Sequence, residues 1–279
     1  MTSIHRAWPR AALLAVALSC TTIEGREDAE IAVADALISD QQEAQLGAQI
    51  HHELEREGVR FSRDPVVTKY VEGLFAQLVP FARKDRDAPY HIHVIDDPKT
   101  VNAFATPGGH LYLYSGLLAA ASTESEVVGV LAHELGHVVA HHSARQMVKQ
   151  YGLQTIAALA LGQDPNLLAV VGANLLASGA LLAHSRADEL EADTYAVRYS
   201  AAADYDPRGI ALFFRRLPTI EGRWGKVLSW LQTHPTPPDR IEWVNQVIAR
   251  ERLSGAKVGA ESLQPIKERI ASQLPVSRR

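Results

Sequence analysis

The chain has 279 residues, 47% of them hydrophobic and 22% charged, with 28 Lys and Arg, 32 Asp and Glu, and one cysteine. That apolar fraction and balanced charge exclude a disordered chain. A formal charge of −4 excludes the basic stripe of a nucleic-acid binder. One cysteine makes neither an internal disulfide nor a thiolate zinc ribbon.

In chain order, the first segment reads as an export signal of residues 1–19. Arg6 and Arg10 stand without an acid, the apolar run Ala11–Leu18 follows, and Ser19-Cys20 closes it. That run is far short of the about 20 residues that span a bilayer. Cys20 at its end resembles a bacterial lipoprotein processing site, which makes Cys20 the lipidation candidate; cleavage after Ala17 is the competing outcome. Losing residues 1–19 removes two Arg and takes the charge from −4 to −6. Residues 20–39 follow as a polar tether, 40–255 as the folded domain, and 256–279 as a helical tail.

A helix is predicted over 40–57, with Asp40 as N-cap and Gly58 past its end. Asp64-Pro65 opens a second, to about Leu78. Tyr90–Ile95 alternates as a strand, and Val101–Thr106 with His110–Tyr114 flank Pro107-Gly108-Gly109 as a hairpin. From Thr123 onward the pattern is helical, over 124–149, 153–161, 166–200, 207–216, 239–251 and 259–272. The class is α+β, mainly helical with a small sheet.

Chemistry concentrates in His133-Glu134-Leu135-Gly136-His137. On a helix, the two histidines lie one turn apart on one face, so both imidazoles reach one cation. Glu134 is rotated by about 100° and touches a water at that cation without coordinating it. The flanking Val130, Leu131, Ala132, Leu135, Val138 and Val139 are those of a buried helix, in which such groups need a partner. His141 lies about 12 Å along the axis from His133, too far to share the ion. His141 and His142 therefore read as a solvated helix end. Downstream, Glu189 and Asp193 share one helix face, so that one can bind metal while the other orients a ligand histidine.

His133–His137 followed by Glu189-x-x-x-Asp193 resembles the M48 family of zinc metallopeptidases. So do Asn102-Ala103-Phe104-Ala105-Thr106-Pro107-Gly108-Gly109 upstream, and Thr233-His234-Pro235 with Asp239-Arg240-Ile241 downstream. Four ordered motifs carry the likeness over roughly residues 40–250. It implies a zincin-like (gluzincin) domain with the sheet beside the zinc helix and one Zn2+ held by His133, His137 and Glu189. Asp193 would orient a ligand histidine, Glu134 would act as base, and His234 with Arg240 would stabilise the oxyanion. In some exported relatives the histidine at the position of His234 instead caps the zinc. The strand of Asn102, Ala103 and Phe104, or its hairpin partner, would present an open edge to which an extended peptide adds.

The expected function is a periplasmic zinc endopeptidase acting on misfolded or stalled envelope proteins. It would be tied to the membrane by a lipid anchor, with outer-membrane assembly machinery as partner and no nucleic acid. Two alternatives stand beside it: a chaperone-like assembly factor whose protease is mostly silent, and a membrane-embedded protease. Gly152–Ala183 bears on the last, since Asp164 is its sole charge. Leu153–Leu161 and Leu167–Ala183 fall short of clean spans and read as a buried helical pair beside the cleft.

Overall fold

The computed structural model describes residues 39–178, 184–220, 234 and 238–273. The export signal, Cys20 and nearly all of the tether lie outside them.

Helix α1 (Asp40–Arg56) is capped by Ser39, one residue before the expected cap Asp40. Ser39 accepts from the Gln42 amide, and the Gln42 side chain closes back on the Ser39 N–H. Helix α2 (Pro65–Asp85) is capped by Asp64, whose carboxylate accepts from Val66 N–H, and continues past Leu78 with Pro80 inside it. Pro80 removes one main-chain bond without ending the helix, because Leu78 and Ala82 anchor it in the core on either side.

The sheet comprises β1 (His91–Ile95), β2 (Ala103–Thr106) and β3 (His110–Tyr114), in the order β1-β3-β2. Strands β2 and β3 form the expected hairpin around a 3-10 turn at Pro107–Gly109, while β1 pairs with β3 in parallel. A short helix, α3 (Ser115–Ala120), precedes α4 (Glu124–Val139), the motif helix, which is buried from Ser125 to Val139. Thr123 caps α4 by accepting from Glu126 N–H.

The helix expected over 124–149 breaks after Val139. His141 takes a left-handed φ of 58°, and α5 (His142–Tyr151) restarts in a new direction. The segment expected as one helix over 166–200 is two, α7 (Pro165–Ser178) and α8 (Arg186–Ala202). Helices α6 (Leu153–Ala160), α9 (Gly209–Ile220), α10 (Pro238–Glu251) and α11 (Ala260–Ser272) complete the described elements.

The main core gathers around α4, with α2, α8, α9, α10 and one face of the sheet. Leu263, Ile266 and Ile270 of α11 belong to the same core, so the segment expected as a tail is part of the domain. Helices α4 and α8 approach closely at Gly136, where a Cβ would stand 2.9 Å from Tyr195 Cβ and 3.0 Å from Ala192 Cα.

A second core joins α1, α6 and α7 to Phe104, Tyr112 and Tyr114 of the other sheet face. The apolar pair α6 and α7 thus covers α1 and the aromatic face of the sheet. Among the described residues, no single helix is long and apolar enough to cross a membrane. Leu153–Ala160 and Pro165–Leu175 reach that length only as a pair bent by 96°.

Candidate active site

Helix α4 turns His133 and His137 toward α8, and their Nε2 atoms come within 3.0 Å of each other. Glu189, from the first turn of α8, stands opposite, at 3.5 Å from His133 Nε2 and 3.6 Å from His137 Nε2. His234 completes the group: its Nδ1 is 2.9 Å from Glu189 Oε1 and 3.4 Å from His133 Nε2. All four side chains are buried, and one donor atom from each lies within 4.8 Å of the others. The other His234 nitrogen, Nε2, points at Glu134 Oε1, 3.5 Å away.

Each ligand-type histidine has a partner on its far nitrogen. His133 Nδ1 lies 3.0 Å from Asp193 Oδ1, the orienting distance expected for that carboxylate. His137 Nδ1 lies 2.9 Å from His142 Nδ1, and His142 Nε2 reaches Glu191 at 3.3 Å and Asp188 at 3.4 Å. With Nε2 lone pairs turned to the cluster, both far nitrogens carry protons and face these outer partners. His142, expected on a solvated helix end, is fully buried behind His137, because the break at His141 turns α5 inward. His141 is also engaged, 2.5 Å from Glu43 Oε1.

Among the described residues, Arg240 is the largest fully buried side chain. Its Nε and Nη2 donate to the two oxygens of Asp193 at 2.8 and 2.7 Å, its Nη1 meets Glu189 Oε2 at 2.5 Å, and its guanidinium lies over the Phe214 ring. Expected as an oxyanion donor, it is instead committed to the two carboxylates of α8. Trp243 ties α10 to α8 by donating to Leu190 O and Thr194 Oγ1.

Two residues were missed by sequence reasoning: His142 as a site residue, and His184. The His184 ring stacks on His137 with centroids 3.9 Å apart, and its Nδ1 has no hydrogen-bond partner among the described residues. The signal available for His184 was its place just before the Ser185 cap of the α8 acidic turn.

Electrostatics separates the roles. Burial pushes the Glu134 carboxyl up, and His234 and His133 offset this only in part. Burial alone would raise Glu189 too, but His234, His133 and Arg240 outweigh it and hold that carboxylate well below its usual range. Burial and the neighbouring His184 keep His137 neutral, well below the usual histidine value. For His133 burial acts downward, and the bonds to Asp193 and Glu189 reverse it, to about 9.

The residues expected on an open strand edge lie on and just before β2, an outer strand of the sheet. Asn102, Ala103 and Phe104 are buried; Phe104 stacks on Tyr112 with centroids 4.7 Å apart, as core. On β2, Ser143 Oγ from α5 donates to Ala105 O at 3.0 Å, which covers the edge at that point.

This donor set fits a zinc ion. It offers imidazole nitrogens, one carboxylate kept ionised and no thiolate, with outer partners on both helix histidines. Among the described residues, nothing donates a hydrogen bond to either oxygen of Glu134, although the residue is only 1% exposed. A buried carboxyl left so needs a donor in the space it faces.

Comparison with known proteins agrees with this geometry. The chain is 37% identical over 188 residues to a Vibrio cholerae protein provisionally named beta-barrel assembly-enhancing protease, covering 64% of this chain and 38% of that one. It is 32% identical over 191 residues to the mitochondrial metalloendopeptidase OMA1 of Schizosaccharomyces pombe, covering 67% and 56%. It is 27% identical over 217 residues to the beta-barrel assembly-enhancing protease of Escherichia coli, covering 75% and 44%. The chain thus matches about half or less of the length of these relatives. Residues 65–248, which hold every element of the cluster, match the description Peptidase family M48, and the chain belongs to that family.

Proposed function

We propose that the chain is a zinc-dependent endopeptidase of the bacterial cell envelope, hydrolysing peptide bonds of misfolded or stalled exported proteins. The observation that carries this reading is the convergence of His133, His137, Glu189 and His234 beside the buried carboxyl of Glu134, whose oxygens accept no hydrogen bond among the described residues. His133, His137 and Glu189 would hold the metal. Zinc, when bound there, supplies Lewis acidity toward a scissile carbonyl and a lowered pKa for water.

The rest is work for the chain's own residues. Glu134 takes the proton of the attacking water and returns it to the leaving amine; its raised pKa suits that exchange. Asp193 and His142 keep the two imidazoles in the tautomer that leaves Nε2 free. Arg240 positions Asp193 and Glu189. His234 caps the group at rest, lying between the base and the donor cluster. It must leave for a substrate to approach, after which it can face the developing oxyanion. The names of the bacterial relatives support an envelope setting and protein substrates linked to outer-membrane assembly. The N-terminal signal with Cys20 supports a periplasmic enzyme on a lipid anchor.

A second reading, a chaperone-like assembly factor whose protease is mostly silent, is favoured by the same capping position of His234. One comparison tests both. Glu134→Gln should keep the metal and lose casein cleavage by on the order of 100-fold or more. Cleavage that survives in this variant overturns the mechanism. Envelope function that survives while cleavage is lost selects the assembly factor. His234→Ala should raise cleavage, whereas a fall assigns His234 to the oxyanion alone.

A further inference from the structure

Away from this centre, three histidines from three elements converge: His51 on α1, His93 on β1 and His110 on β3. We propose that they form a second metal site, which takes a divalent transition-metal ion of the zinc class.

The placement is built into the backbone. Because β1 and β3 run parallel with His91 opposite His110 and His93 opposite Tyr112, the side chains of His93 and His110 emerge on the same face. Helix α1 crosses that face with Gly47 against the hairpin turn, where a Cβ would stand 2.2 Å from Pro107 O. One helical turn later comes His51, stacked on His93 with centroids 4.2 Å apart.

One ring nitrogen of each histidine lies within 4.8 Å of the other two. His93 Nε2 and His110 Nδ1 are 3.1 Å apart, nearly the 3.0 Å that separates His133 Nε2 from His137 Nε2. Tetrahedral ligands at zinc–nitrogen distances of about 2.0–2.1 Å are spaced by about 3.3 Å, so both pairs have the spacing of ligands to one ion. Tyr112 Oη lies 3.1 Å from His51 Nδ1 and orients that ring, as the outer partner of a metal-binding histidine does. The donor set is all imidazole, which suits zinc, copper and nickel over calcium or magnesium. The His51 side chain is 19% exposed, which leaves a path for the ion and room for a water as fourth ligand.

Among the described residues a further cluster, Asp40, Glu43 and His141, differs on this point. Arg86 already sits at 2.6 Å from Asp40 and 3.1 Å from Glu43 and supplies the positive charge there. An ion held by His51, His93 and His110 would pin α1 to the sheet whose far strand, β2, runs beside the motif helix.

The test is zinc content of the full chain after loading with Zn2+ and desalting, with circular dichroism as the check on folding. Wild type should hold two ions per chain, His51→Gln one, His133→Ala one, and the double variant none. Casein cleavage should persist in His51→Gln. Zn2+ should still raise the melting temperature of His133→Ala. A wild type that holds a single ion, lost in His133→Ala and kept in His51→Gln, overturns the proposal, and so does a His133→Ala melting temperature indifferent to Zn2+. Zinc lost in His51→Gln and unaffected in His133→Ala would instead overturn the reading of the active site and leave this one standing.

Discussion

Two groups of histidines in this chain share their residue type and differ in what stands behind the rings. Around α4 every ring is backed by a charge or a second imidazole: Asp193 behind His133, His142 with Glu191 and Asp188 behind His137, and Arg240 between the carboxylates. On the sheet the rings back one another, with centroid distances of 4.2 Å for His51 and His93 and 5.3 Å for His93 and His110. Among the described residues, the acid nearest to that stack is Glu55, 4.0 Å from His51 Nε2. A charged frame fixes ligand orientation and tautomer, which chemistry requires, but it makes the fold depend on each charge being answered. A stack of neutral rings asks for no such answer and fixes less.

The largest expected effect follows from that dependence. Arg240→Met leaves Asp193 and Glu189 buried without their guanidinium and should cost about 3–5 kcal/mol of stability. His51→Gln, at the sheet, should stay within about 1 kcal/mol. Urea unfolding of the two metal-stripped variants reads the contrast, and equal costs would end it. Next in size, His142→Phe removes the imidazole behind His137 and should weaken zinc binding at that site by about 10–100-fold. Competition against a chelator measures it, and an unchanged affinity would mean that His142 merely fills space.

The active centre was legible in the sequence as far as helical spacing reaches. His133, Glu134 and His137 are one turn of α4, and Glu189 with Asp193 is one turn of α8. What spacing does not reveal is where a helix stops being one helix. The left-handed φ of 58° at His141, a residue with a Cβ and no glycine beside it, carries no local signal. Yet that angle turns His142 from a continued surface face into the layer behind His137. The same limit explains Arg240. Its motif marked it as functional, but only the packing of α10 on α8 shows that its donors are taken by Asp193 and Glu189. The histidine stack was invisible for another reason: it needs the parallel pairing of β1 with β3, a contact between segments that are not consecutive strands. Residues 101–106 read as a strand, and their burial on both faces depends on α5 and the aromatic face, which no local pattern reports.

The smallest effect separates the stack from the charged centre by pH. Burial, helped by the neighbouring histidines His51 and His91, holds both His93 and His110 down at about 3, against an ordinary value of 6.5. Between those values the unfolded chain binds protons that the folded chain refuses, so stability is full above about 6.5 and falls as pH drops toward 3. The groups acting on the pair are His51 and His52 from α1 and His91 from β1, and all of them push the same way. With a discount for partial exposure, the pair should cost the metal-free protein about 1–2 kcal/mol on going from pH 7 to pH 5. His137 and His184 are also held low by burial and add a slope of their own, so the reading is a difference between proteins. His93→Gln should show a shallower loss of urea midpoint over that range than wild type. An identical slope would mean that the stack takes up its protons without unfolding, and that its rings are less tightly enclosed than those around α4.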